Sequence, residues 1–407
     1  MESSDGPDPL MTLSLEERVE RLRQRLRDET EIGAGEANVV VSPYRICPIG
    51  AHVDHQGGPV LGTAIDAGTL LAFAPSGSSA CRLQSTNFEG QYETDLTTTK
   101  SAPEGWGRYF WAAAATLGTR TPAPLRGIVG RVEGSLPGGG LSSSASVVLA
   151  YLTAIAHENG IELSPQELVN FARQAENEYV GVKCGILDPA CIVASKRDHL
   201  VSIDTLQCEF EPIPGEKAAS QSTFLVAFSG VDRNLRHTGF NDRVDQCHEA
   251  ARHLGQLCGN AAAEKLGDHI DAVFEEHLDA LPSTLQKRAR HFFEERHRVR
   301  AGVETWRNGD LEGFGRLMSD SCRSSIENFE VGSPEIGALH ELICRTPGVY
   351  GARFSGAGFG GCVVGLVAAD RAQECLERIE REYRRLAPEL TSAYVFLAQS
   401  RDGLNVR

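Results

Sequence analysis

The chain has 407 residues, 41% hydrophobic and 23% charged, enough for two domains with ample core. Its net charge of −15 argues against nucleic acid or an anionic membrane as the main partner, although a local pocket can still take an anionic substrate. No apolar run approaches the ~20 residues of a membrane span. The start, Met1-Glu2-Ser3-Ser4-Asp5, is not a secretory signal, and the 11 cysteines form no C-x-x-C pair, so reduced thiols in the cytoplasm are expected rather than disulfides or structural zinc.

Residues 1–12 are expected to be disordered, with a first domain over 13–215. Ser14 and Glu17 form a capping box, and Leu15, Val19, Leu22 and Leu26 mark one face of an amphipathic helix. Val39, Val40 and Val41 begin a strand, and further strands follow to about residue 134, around a helix near 107–117. A glycine-rich loop at 136–145 then runs into an apolar helical stretch. Ser164, Pro165 and Glu167 supply a cap, an N1 proline and a capping box for a helix to about residue 180. A hairpin is expected around Lys196–Asp198, then a strand at 223–228. Residues 239–345 read as helical, followed by strand, glycine loop, strand, helix and strand from 349 to 398. This alternation predicts an α+β architecture. The Pro-Gly pair at 214–215 marks the expected boundary of a second domain, 216–407.

The loop Gly138, Gly139, Gly140, Leu141, Ser142, Ser143, Ser144 carries chemistry. Glycine lets a backbone approach a bulky anion, and the first N–H groups of the helix are free at the positive end of its dipole. Together they make a phosphate site. No G-x-x-x-x-G-K-[ST] occurs, so backbone and hydroxyls would hold the phosphate without a built-in lysine. A Gly/Ser turn that merely caps the helix is the alternative. His52, Asp54 and His55 crowd too closely on extended chain for a zinc site. His248 and His253 lie one residue too far apart for a metalloprotease helix and read as an exposed face.

Two further segments accompany the loop. Residues 43–58 read Pro-Tyr-Arg-Ile-Cys-Pro-Ile-Gly-Ala-His-Val-Asp-His-Gln-Gly-Gly, and residues 351–362 read Gly-Ala-Arg-Phe-Ser-Gly-Ala-Gly-Phe-Gly-Gly-Cys. With these three motifs in order, the chain resembles the GHMP small-molecule kinases, the family of galactokinase, homoserine kinase and mevalonate kinase. The His-Val-Asp-His-Gln-Gly-Gly stretch and Cys-Gly-Ile-Leu-Asp at 184–188 look most like galactokinase. The resemblance implies an N-terminal ribosomal-protein-S5-like domain, a C-terminal ferredoxin-like domain and an active site in the cleft. It implies ATP and Mg²⁺, with Ser144 and Glu176 as metal ligands; a solvated helix face is the alternative for Glu176. It places the catalytic carboxylate on Asp188, which otherwise reads as a turn residue before Pro189, and a phosphoryl-stabilising arginine on Arg45. His52 and Asp54 fall on sugar-binding positions. Trp106 falls on a nucleotide-stacking position, where core packing is the rival. Ser355, Gly356, Gly358 and Gly360 form the third motif, which supports the phosphate loop.

The chain departs from the galactokinase pattern at three places. Pro189 replaces a glutamine after Asp188, so the backbone there is expected to differ. Ala51 stands where galactokinases hold a glutamate against the sugar 6-hydroxyl, and Phe240 replaces a tyrosine. Ala51 removes a negative charge and opens space, which admits a sugar with a carboxylate at carbon 6. The 43–58 stretch is also similar to that of the plant galacturonokinases. The expected activity is therefore phosphorylation of D-galacturonate at O1 by ATP, with a sugar acid and ATP as the partners and neither nucleic acid nor membrane. A galactokinase or other hexose or uronic-acid kinase is the alternative enzyme, and a silent sugar/ATP sensor is the alternative outside enzymes. Arg243 and His55 are the candidate cations for the 6-carboxylate.

Overall fold

Helix α1 (Leu15–Thr30) starts on the Ser14–Glu17 box and buries Val19, Leu22 and Leu26 on one face of a sheet. The sheet strands that receive it are β1 (Asn38–Ile49) and β2 (Val60–Pro75). Val39 and Val41 point to α1, while Val40 points to the opposite core, the period-two alternation of a strand. The computed structural model describes residues 13–30, 37–98, 101–136, 139–231 and 239–407. Residues 1–12, where disorder was expected, and Gly138 of the glycine loop lie outside them.

The first sheet has eight strands. Besides β1 and β2 it holds β3 (Ala80–Ser85), β4 (Gln91–Asp95), β5 (Ile128–Gly134), β6 (His199–Asp204) and β7 (Glu209–Pro214). Its inner face is covered by α2 (Gly107–Gly118), α3 (Ser143–Glu158), α4 (Pro165–Gln174) and α5 (Leu187–Ala194). A short helix, α6 (Glu216–Gln221), leads into β8 (Ser222–Phe228) and the second unit.

The second unit continues through α7 (Phe240–Cys258), α8 (Asp271–His277), α9 (Ser283–Asn308), α10 (Leu311–Glu327) and α11 (Pro334–Cys344). It closes with β9 (Val349–Phe354), β10 (Cys362–Ala368), α12 (Ala372–Leu386) and β11 (Tyr394–Ala398). Its four antiparallel strands run β11-β8-β10-β9, the strand order of a ferredoxin-like sheet. The last strand, β12 (Asn405–Val406), returns to the first sheet and pairs with β1. The two units share their core. One cluster joins Cys47, Ala51 and Val53 to Phe292, Phe329 and Leu225, and another joins Ile46 and Leu61 to Trp306 and Phe314.

Three local expectations change. The helix expected to run to residue 180 leaves α-geometry at Gln174 and widens into a π-helical turn over Ala175–Val180, where Gly181 N–H reaches back to Glu176 O at 2.8 Å. The turn at Lys196–Asp198 joins α5 to β6 and is not a hairpin. The hairpin lies between β6 and β7, where Asp204 Oδ1 accepts the N–H groups of Leu206 and Gln207. Pro189 does not disturb the backbone: it sits in the first turn of α5, where its missing N–H has no helical partner in any case.

Candidate active site

Arg45 is the hub. It projects from β1, is 3% exposed, and spends its whole fork on three separate segments. Nε donates to Asp188 Oδ1 at 2.8 Å and Nη2 pairs with the same oxygen at 2.7 Å, while Nη1 donates to Gly140 O at 3.3 Å and Ser355 Oγ at 3.1 Å. A surface arginine is thereby excluded. One guanidinium ties the candidate catalytic carboxylate in α5 to the glycine loop and to the third motif.

The third motif braces the glycine loop backbone to backbone. Gly140 has φ +96°, and a Cβ there would meet Cys362 N at 2.8 Å. A Cβ on Gly356 would meet Gly140 Cα at 2.9 Å. Only glycine fits at such contacts. Gly358 and Gly360 complete the turn between β9 and β10. Leu141 is buried, and its carbonyl accepts the Arg45 N–H at 3.3 Å. Ser142 takes φ +60° at the N-cap of α3, and its buried Oγ has no partner among the described residues. Ser143 and Ser144 are half-buried in the first helical turn.

Glu176 is 5% exposed, so the solvated helix face is excluded. The π-turn carries it inward, where it accepts hydrogen bonds from Ser144 and, at 3.5 Å, from Cys184 Sγ. Burial first, and then the charge of Asp188, push its carboxyl up to about 7. Asp54 is pushed up to about 6, again by burial first; its Oδ2 accepts the Leu187 N–H at 3.0 Å. The charge of Asp188 thus raises both Asp54 and Glu176, and the guanidinium of Arg45 lowers both. Such a site favours a bound cation, which would bring Glu176 back to its charged form. A serine hydroxyl beside a carboxylate is the sparse oxygen set that suits Mg²⁺ with its waters. Among the described residues no group of three or more His, Cys, Asp or Glu side chains could hold a metal ion, and His248 instead donates from Nδ1 to Glu264 O at 2.7 Å.

The candidate sugar side follows β1. Gly50 has φ +99° and His52 φ +64°, with buried Ala51 between them. His52 donates from Nε2 to Gly356 O at 3.1 Å and lies parallel on Phe329, ring centroids 4.7 Å apart. Its Nδ1, an acceptor in that tautomer, is buried and has no partner among the described residues. Phe240 closes the cluster, 6.4 Å from His52 and 6.3 Å from His55. Burial pushes His55 down to about 3, so its ring is neutral and is not a ready cation. Trp106 sits half-buried at the start of α2, edge-on to Tyr92 at 6.1 Å, and α2 lies along α3.

Sequence reasoning missed His291 and Glu295, which reach the Gly50–Ala51 turn from α9, and Ser324 and Ser321 of α10, which hydrogen-bond to them in turn. A signal existed: His291 and Glu295 flank Phe292 and Phe293 at i, i+4 spacing, which places polar groups on the apolar face of a helix.

Comparison with known proteins identifies the family. Residues 108–196 match the GHMP kinases N terminal domain, residues 302–385 the GHMP kinases C terminal domain, and residues 29–75 the galactokinase galactose-binding signature. A galacturonokinase of Arabidopsis thaliana is 39% identical over 88% of this chain and 89% of its own length. The galactokinase of Homo sapiens is 32% identical over 92% and 94%. The crystal structure of Lactococcus lactis galactokinase complexed with galactose superposes with a TM-score of 0.86 at 28% identity, covering 95% of this chain and 99% of that one. Mevalonate kinase of Methanococcus jannaschii shares the fold at a TM-score of 0.64 and 18% identity, covering 91% of this chain and 100% of that one. Shared motifs, shared architecture and identity along nearly the whole chain lead to one conclusion: this chain belongs to the GHMP kinase family, among its galactokinase-like members.

Proposed function

We propose that the protein is a sugar-1-kinase that transfers the γ-phosphoryl group of ATP to O1 of D-galacturonate. The observation that carries the substrate is Ala51: a buried methyl stands in the turn beside His52 and Asp54, where galactokinase-like sequences hold a glutamate. Two unit charges ~4 Å apart repel by about 4 kcal/mol at an effective dielectric of 20. Replacing that glutamate with alanine is therefore enough to admit a 6-carboxylate. Phe240 also lacks the hydroxyl of a tyrosine, which weakens the case for neutral galactose. The likeness to an Arabidopsis thaliana galacturonokinase, 39% against 32% for the human galactokinase, supports the same choice.

In this reading Asp188 works through the oxygen that Arg45 leaves open. Arg45 holds Oδ1, so Oδ2 accepts the proton of the anomeric hydroxyl or orients it. The sugar O1 bonds to the γ-phosphorus, the bond from that phosphorus to the bridging oxygen breaks, and ADP leaves. Gly138, Gly139 and Gly140 with Leu141, Ser142 and Ser143 would cradle the phosphates, Trp106 would stack on the base, and Ser144 with Glu176 would hold Mg²⁺. When bound, the ion neutralises charge developing on the phosphates. Arg45 fixes Asp188 relative to the phosphate loop, so that nucleophile and phosphoryl donor meet in one geometry.

The second reading is galactose, favoured by the galactose-binding signature over residues 29–75. A steady-state panel of galacturonate, glucuronate and galactose with ATP decides between them. Galacturonate should be turned over well and galactose poorly. A preference for galactose overturns the substrate, and no turnover with any sugar overturns the enzyme in favour of a sugar/ATP sensor.

A further inference from the structure

The turn that carries Ala51 is strained and is held from a distance. Gly50 and His52 both have left-handed backbones, a conformation that strains a residue with a Cβ such as histidine. Such a turn persists only where its surroundings over-determine it. Here they do so from the second unit. Glu295 Oε1 accepts the Gly50 N–H at 2.7 Å, and His291 Nε2 donates to the Ala51 carbonyl at 3.0 Å. The two side chains are one helical turn apart on α9, and both are buried. Neither is free to move. Ser324 Oγ lies 3.0 Å from His291 Nδ1, and a carbonyl can only accept, so His291 is the Nε2–H tautomer and the serine hydroxyl donates. Burial pushes His291 down to about 4, which keeps that ring neutral. Glu295 is fixed by Arg298 Nε at 2.5 Å and by Ser321 Oγ, and Ser321 in turn accepts from Arg353 Nη1 at 2.7 Å.

We infer that His291 and Glu295 are positioning residues for sugar recognition. Helix α9 clamps the Gly50–His52 turn from outside, and so sets both the depth of the pocket at Ala51 and the direction of His52. The clamp rests on the reading above that this turn faces the sugar. It predicts a defect confined to the sugar: loosening the turn costs sugar affinity and discrimination and leaves the nucleotide side alone.

The test is steady-state kinetics of the full chain with His291→Leu, His291→Gln and Ser324→Ala, each with a melting curve. His291→Leu removes the donor to Ala51 and should raise the sugar KM about tenfold, the upper range for one buried hydrogen bond, with the ATP KM within about twofold. The ratio of kcat/KM for galacturonate over galactose should fall. His291→Gln keeps an N–H donor and should recover most of the loss. Ser324→Ala frees the tautomer and should raise the sugar KM about threefold. An unchanged sugar KM in a folded His291→Leu protein overturns the clamp. So do sugar and ATP KM values that rise together with a lowered Tm, the signature of a merely structural role. Should His291→Leu fail to fold, Ser324→Ala decides by the same criteria. A wild type that prefers galactose overturns the substrate reading alone, and the clamp is then tested with galactose as the sugar.

Discussion

The sugar side and the phosphate side of the site are built by different means. In the sugar turn, Gly50, Ala51 and His52 each make a hydrogen bond to a residue at least 240 positions away in the chain. The phosphate loop is instead shaped by glycine backbones in contact, with Ser142 Oγ left without a partner among the described residues and Ser143 and Ser144 half-exposed. Charge differs as well. His52, His55 and His291 are all pushed down by burial and stay neutral, so these three rings bring no charge to the proposed sugar pocket. Next to it, Glu176 is pushed up toward neutrality beside Asp188, an imbalance that a cation relieves. In the proposed reading the sugar turn selects by fixed position and by the absence of a charge at Ala51, whereas the nucleotide and metal side gathers charge. Arg45 ties Asp188 to Gly140 of the phosphate loop and Ser355 of the third motif.

The comparison breaks hardest at Ala51. Ala51→Glu should lower kcat/KM for galacturonate about a thousandfold, from the ~4 kcal/mol repulsion between two carboxylates at ~4 Å. Part of any loss is steric, so Ala51→Gln, with equal volume and no charge, should hurt clearly less. Equal damage by Glu and Gln would show that shape alone excludes the sugar. Next in size is Asp188→Asn. The amide oxygen can still accept from Arg45, so the fold and ATP affinity should hold while kcat falls by about a hundredfold or more. A near-normal kcat would remove Asp188 from the chemistry.

A smaller effect sharpens the phosphate side. Gly140→Ala adds a Cβ that meets Cys362 N at 2.8 Å at a φ of +96°. It should raise the ATP KM about tenfold, through roughly 1 kcal/mol of backbone strain plus the displaced loop, and leave the sugar KM unchanged. Equal changes in both would mean that the two sides are not separable.

The smallest effect is on stability, at Glu176. Its carboxyl titrates near 7 in the folded chain against an ordinary value of 4.5. Between those values the folded state holds more protons than the unfolded one, so stability falls as pH rises through that window. Glu176→Gln removes this loss. In chelator and without nucleotide it should raise Tm over wild type at pH 8 and give little gain at pH 4.5. The same variant should need about tenfold more Mg²⁺ for activity. A change in sugar KM alone would move Glu176 to the sugar side.

Much of this molecule is written locally. The Ser14–Glu17 and Ser164–Glu167 boxes start their helices, and the stripe Val19, Leu22, Leu26 settles which face of α1 is buried. The glycine loop is legible because a left-handed backbone at Gly140 and a free helix N-terminus are properties of a few consecutive residues. Ala51 is equally plain, since a missing side chain needs no structure to be noticed. Helix α5 is not legible in the sequence because Asp188 before Pro189 reads as a turn, and only the structure shows that Pro189 falls in the first turn of a helix, a position that tolerates it.

What tertiary structure alone decided lies in contacts between distant segments. Periodicity cannot tell that Arg45 Nη1 will meet Ser355, 310 residues on, or that α9 will reach Gly50 and Ala51. It cannot tell that a π-helical turn will carry Glu176 inward, or that burial and a neighbouring carboxylate will shift its titration. Residue types and local propensity choose which elements form and which groups are available for chemistry. Hydrogen-bond geometry, desolvation and charge depend on which elements come together, and those terms exist only once the two units share a core.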